Sequence, residues 1–161
     1  MGNDLPPPSG PPEACPTPGM SVPTSIVDYG CIAAFGREAR AAVGDDTWAG
    51  MWFELDQTLV VMLTDLDRAS LITDDMLQMA GAVRFEQAAV SLADLEERSR
   101  EFEAALRDTE LNVRWLGVDP QNNRLNLEVV DDESVRPIVE SIVGTFPVAI
   151  TYNATPPNTT F

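Results

Sequence analysis

The chain has 161 residues, 26 acidic and 10 basic, with no histidine and a formal net charge of −16. All ten basic residues are arginine, so Schiff-base lysine, P-loop lysine and imidazole base chemistry are excluded, and the acidic surplus excludes nucleic acid as a partner. Apolar residues make up 44% of the chain, enough for the core of one domain.

Residues 1–23 carry eight of the thirteen prolines, in runs such as Pro6-Pro7-Pro8 and Pro11-Pro12. Such a segment is an extended, polyproline-like linker or tether. Proline-binding modules recognise similar runs, but a spacer is the plainer reading. Cys15 lies in this segment and Cys31 in the apolar one that follows. An even count, split between adjoining segments, predicts a Cys15–Cys31 disulfide whose loop of about sixteen residues contributes roughly 3 kcal/mol. The alternative is two unrelated thiols, with Cys31 packed as a small hydrophobe. Pairing places the protein in an oxidising, extracytoplasmic setting, secreted or associated with the cell envelope. Met1-Gly2-Asn3-Asp4 has neither the charged nor the apolar region of a signal peptide, so no export signal is expected within this chain. No segment reaches the roughly 18 apolar residues of a membrane span.

From Thr24 the pattern changes. Thr24 or Ser25 can cap a helix that puts Val27, Ile32, Phe35 and Ala39 on one side, with Gly44 to close it. Two later stretches look alike, Trp52-Phe53-Glu54-Leu55-Asp56 running into Leu59-Val60-Val61, and Trp115-Leu116-Gly117-Val118-Asp119 running into Leu125-Asn126-Leu127. Each reads as strand, polar turn, strand, followed by a helical stretch (Asp67 to Met79, Glu133 to Thr145) and a further strand (Val83 to Val90, Val148 to Tyr152). In the second copy Leu125, Leu127 and Val129 alternate with Asn126 and Glu128, the mark of a sheet with one buried face. The repeat equates Trp52 with Trp115 as core residues, and Leu59 with Leu125.

Between the copies lies an amphipathic helix. Ser91 and Asp94 form a capping box, Leu92, Leu95, Phe102 and Leu106 mark the apolar face, and Glu96–Arg100 and Glu103–Arg107 are i,i+4 pairs. The expected class is therefore α+β: a duplicated strand-strand-helix-strand unit, small antiparallel sheets packed against helices, and one long helix between the halves. The domain is expected over 24–152, with halves at about 48–90 and 113–152, and a polar tail over 153–161.

This order of motifs is similar to the pro-regions of secreted chymotrypsin-like bacterial serine proteases, the streptogrisin and α-lytic protease family. The residues that carry it are Phe53-Glu54-Leu55-Asp56 before Leu59-Val60-Val61, Val90-Ser91-Leu92-Ala93-Asp94-Leu95-Glu96, and Val118-Asp119-Pro120 with Asn123-Arg124-Leu125. The resemblance covers residues 48–152 and implies a non-catalytic folding chaperone or inhibitor. Its partner would be a secreted serine protease or another extracellular protein, bound by sheet extension; the resemblance would let the C-terminal tail lie product-like in the protease cleft, but an ordinary disordered terminus is the plainer reading. The chain reads as a stand-alone relative.

Candidate partner-binding residues are Trp48 and Trp52 before the first hairpin, Val148, Ile150 and Tyr152 on the final strand, and Phe161 at the end of the tail. Alternate members of the Trp48, Met51, Trp52 and Phe53 cluster packing under the sheet is the plainer account of the aromatics. Acidic runs at Asp65, Asp67, Asp74 and Asp75, and at Asp131, Asp132 and Glu133, precede helical stretches and read as caps rather than as a calcium site, since no EF-hand spacing is present. Two Asn-x-Thr sequons start at Asn153 and Asn158. The reading is a non-catalytic protein-binding domain with no metal and no cofactor. A structural or cell-surface accessory domain is the alternative, and a hydrolase built on a carboxylate pair is a third.

Overall fold

The computed structural model of the chain describes residues 29–109, 111–131 and 135–154. The proline-rich segment with Cys15, the expected caps Thr24 and Ser25, residues Asp132 and Glu133, the Asn158 sequon and Phe161 lie outside the described residues.

Helix α1 (Tyr29–Val43) buries Ile32, Phe35 and Ala39. Gly36, in its middle, leaves room for the Met51 side chain, whose Cε would lie 2.5 Å from a Cβ there. Gly44 closes the helix at φ +92°, its N–H reaching Arg40 O at 2.9 Å. Strands β1 (Trp48–Phe53) and β2 (Leu59–Leu63) form an antiparallel hairpin. A 3-10 turn (Leu66–Leu71) and helix α2 (Asp74–Ala80) then carry the chain over to β3 (Val83–Gln87), parallel to β2. The single helical stretch expected from Asp67 to Met79 is thus two pieces. Ile72 and Thr73 take extended backbone angles between them, and Thr73 Oγ1 accepts from Met76 N as the cap of α2.

The N-cap half of the expected capping box forms: Ser91 Oγ accepts from Asp94 N at 3.1 Å and opens α3 (Leu92–Arg107). Of the two expected ion pairs, Glu103–Arg107 forms at 2.8 Å. Arg100 turns instead to the backbone carbonyl of Glu96. Strands β4 (Val113–Asp119) and β5 (Arg124–Asp131) make the second hairpin, and α4 (Arg136–Val143) leads to β6 (Val148–Ala154), parallel to β5.

The sheets are β1-β2-β3 and β4-β5-β6. Each is mixed rather than antiparallel as expected, because a helical crossover returns the third strand in the direction of the second. The duplication extends to single hydrogen bonds. Leu59 N reaches Ala82 O at 2.8 Å where Leu125 N reaches Pro147 O at 3.0 Å, and Thr64 N reaches Thr47 O where Val130 N reaches Asn112 O. Even the register irregularity recurs, between Trp48 and Gly50 in one hairpin and between Val113 and Trp115 in the other. Crossover helices α2 and α4 both end on a glycine at positive φ, Gly81 and Gly144.

Two cores result. Phe35, Ala39, Trp48, Leu59, Val61 and Leu63 fill one between α1, α2 and the first sheet. Leu95, Phe102, Leu106, Leu125, Leu127, Val129 and Val139 fill the other between α3, α4 and the second sheet.

Candidate binding surface

Leu59 and Leu125 occupy equivalent places, as the sequence repeat anticipates: they pair with Phe53 and Val118 in the hairpins, and with Val83 and Val148 across the parallel ladders. Trp52 and Trp115 are not equivalent, and this expectation is corrected. Counting along the paired strands, Trp52 faces Val60 and its counterpart is Gly117 facing Asn126. Trp115 faces Glu128 and its counterpart is Gly50 facing Met62. Matching Asp56 to Asp119 by spacing misled the alignment, because Asp119 is still on its strand opposite Arg124 whereas Asp56 lies in the turn. The two hairpins therefore carry one glycine and one tryptophan in opposite order. Nor is Trp115 a core residue, since it is 49% exposed.

On the first sheet the face away from α1 is covered. Met62, Ala49 and Ala88 are buried there with Trp52 packed against them, and Val60 has no exposure at all. Pro120, from the turn of the second hairpin, sits over Gly50, where a Cβ would come within 2.8 Å of the proline Cβ. Asn123 fixes that turn. Held at φ +49° and buried, it accepts from Ala89 N and Val90 N through Oδ1, both at 2.8 Å, and donates Nδ2 to Val90 O at 2.7 Å. An asparagine is suited to this place because it tolerates the left-handed region and has both an acceptor and a donor.

The second sheet has the opposite exposure. Its inner residues Leu125, Leu127 and Val129 are buried, while Arg124, Asn126 and Glu128 on the outer face are only half-buried. Around Trp115 the polar groups are fixed in position. Glu128 Oε1 accepts from Asn153 Nδ2 at 2.5 Å and lies 3.6 Å from Arg114 Nη1. Asp119 accepts from Asn122 N, Asn122 Nδ2, Asn126 Nδ2 and Arg124 Nε. Burial pushes the Asp119 carboxyl up, but these amide donors and the Arg124 charge outweigh it and hold the group below the usual carboxylate range.

Beside this face runs an open groove of about 620 Å³, lined by Ser99, Glu103, Leu106 and Arg107 of α3 and by the four successive residues Val113 to Leu116. Four consecutive residues on one wall mean that the edge of β4, not a face, borders it. Among the described residues β4 is hydrogen-bonded to β5 alone. The bond from Val130 N to Asn112 O makes Val113–Val129 a wide pair, so the Val113 N–H and C=O are directed to the free edge.

Trp48, a candidate partner contact, is 4% exposed in the first core and offers no surface. Trp52 is half-buried on the covered face, and Val148, Ile150 and Tyr152 are half-buried on the inner side of the edge strand β6, with Arg136 4.6 Å from the Tyr152 ring centroid. The structure thus separates the expected contacts and instead brings together Trp115, Arg114, Glu128, Asn126 and Asp119. The period-2 alternation of β5 marks this face in the sequence, whereas the repeat points Trp115 to the core. Cys31 is 2% exposed on α1. Asp65 caps the 3-10 turn by accepting from Asp67 N, and Asp74 and Asp75 stand in the first turn of α2. Among the described residues no group of three acidic or cysteine side chains is placed to hold a metal ion. Likewise no helix among them is long and apolar enough to cross a membrane. No family model matches the chain, and neither does any curated protein.

Proposed function

We propose that the domain is a non-catalytic, exported protein-binding module resembling a protease pro-region, and that it receives an extended segment of its partner along the free edge of β4. The observation that carries this reading is the unpaired β4 edge bordering an open groove beside α3. Main-chain groups of an exposed edge strand supply affinity to any segment that runs alongside, and the neighbouring groove supplies room for its side chains. Leu106 gives that groove apolar contact area, while Arg107 and Arg114 give it a less acidic character than the chain as a whole. The partner proposed is a secreted chymotrypsin-like serine protease, inhibited and assisted in refolding by the domain. The disulfide between Cys15 and Cys31 belongs to the same proposal of an extracytoplasmic protein.

The test is titration of such a protease with the purified domain, together with Val113→Pro. Proline removes the outward N–H while keeping an apolar side chain of similar volume at an edge position that tolerates it. Inhibition by the native chain and a loss of about tenfold or more in the variant are expected. Inhibition indifferent to the proline would exclude the β4 edge, and no binding to the protease would exclude the pro-region reading.

A further inference from the structure

We infer that the outer face of the second sheet is a saccharide site in which the Trp115 indole is the platform for a neutral pyranose ring. Gly117, two residues along the same face of β4, has no side chain. The position that a Cβ would take there lies 2.5, 3.0 and 3.1 Å from Cζ2, Cε2 and Cη2 of Trp115. The nearest atoms are three adjoining ones of the six-membered ring, so the Cζ2 corner of the indole fills the space that a side chain at Gly117 would take. The indole is thereby packed against Gly117, and the residue is still 49% exposed. In the first sheet the same two positions hold Gly50 and Trp52, and Pro120 occupies the space over the glycine. In the second sheet the space over the glycine is taken by Trp115 itself, so the indole is the covering group there.

Charge selects the class of ligand. Arg114 is near Glu128 and Arg124 is near Asp119, so the two cations and two anions of this face neutralise one another within a chain of net charge −16. A face that is locally neutral yet dense in amide and carboxylate groups favours a ligand with many hydroxyls and no charge over an acidic or basic one. Glu128 is held through Oε1, and its Oε2 has no hydrogen-bond partner among the described residues. Thr151, the neighbour of Glu128 on β6, is exposed. A pyranose with equatorial hydroxyls matches this arrangement, because its axial C–H bonds lie on an aromatic face while its rim hydroxyls reach the acceptors and donors around it. The ligand would occupy the face of β4, whereas a partner segment would occupy its edge.

The experiment is titration of the full chain with cellohexaose and with chitohexaose, read by tryptophan fluorescence and by calorimetry. Saturable binding of at least one hexasaccharide is expected, with a change in tryptophan emission that Trp52→Phe leaves in place. Trp115→Ala should weaken binding by about tenfold or more, the effect of removing one stacked ring. Gly117→Val, which lifts the indole off the backbone, should weaken it while Trp115 itself is retained. Both variants are accepted only with a thermal midpoint showing that they are folded. Absence of binding by either hexasaccharide at millimolar concentration overturns the inference, as does binding unchanged in Trp115→Ala. Quenching of Trp115 by a peptide of residues 1–23 but by neither saccharide also overturns it, assigning the ring to the chain's own prolines. Val113→Pro should leave saccharide binding unchanged, which keeps this result independent of the protease titration.

Discussion

The two halves share topology, register, a bulge and even the glycine that ends the crossover helix, yet their central strands could hardly be less alike. β2 is Leu59-Val60-Val61-Met62-Leu63, buried at every position, whereas β5 alternates Leu125, Leu127 and Val129 with half-buried Asn126 and Glu128. Fold therefore follows from the residues the two strands have in common, the inward set Leu59, Val61 and Leu63 against Leu125, Leu127 and Val129. The outward set is free to differ, and it decides whether a sheet face becomes interior or surface. The turn of the second hairpin is seated against one sheet, while the other keeps an outer face that is partly exposed.

The comparison is broken most forcefully by exchanging outward residues at equivalent positions. Val60→Asn places an amide in a fully buried site and should cost about 2–5 kcal/mol, read as a lower urea midpoint. The reciprocal Asn126→Val, on the half-exposed face, should change stability by no more than about 1 kcal/mol even though it loses a bond to Asp119. Equal costs in the two sheets would mean that their faces are equally covered.

A smaller effect is expected where the halves are joined. Asn123→Ala deletes three hydrogen bonds, leaves the amides of Ala89 and Val90 without their acceptor and forces a non-glycine residue to keep positive φ. About 2–3 kcal/mol is the expected loss. Asn123→Gly relieves the backbone but restores none of the bonds, so it should recover only part of that loss, and full recovery would assign the whole role of Asn123 to its backbone angle.

The smallest effect concerns pH. Because the folded-state pKa of Asp119 is depressed, the stability it contributes is present above its unfolded value of about 3.9 and is lost as pH falls through the lower folded value. The difference in stability between native protein and Asp119→Asn should thus be constant near neutrality and shrink below about pH 4. Relief of repulsion in so acidic a chain acts on both proteins alike and cancels in the difference. A gap that widens on acidification would contradict the assigned hydrogen bonds.

Much of this was legible in the sequence, because hydrophobic periodicity reports which strands bury one face and which bury two. The hairpins, the Ser91 cap, the apolar face of α3 and the equivalence of Leu59 with Leu125 all follow from local pattern. What eluded such reading was long-range. Nothing near Gly50 announces that Pro120 will cover it, and nothing near Trp115 announces that it will stay 49% exposed. Tryptophan is usually buried and the repeat equates Trp115 with Trp52, so both signals direct Trp115 inward. The mixed sheets were likewise missed, because strand direction depends on how the crossover returns and not on the residues of the strand.

The difference between the two faces is measured most directly by acrylamide quenching of single-tryptophan variants, with Trp115 kept in one protein and Trp48 in another and the remaining tryptophans replaced by phenylalanine. Trp115 should be quenched readily and emit to the red, while Trp48, which is 4% exposed, should be shielded and emit to the blue. A Trp115 as protected as Trp48 would contradict the account, since the second sheet would then have no open face.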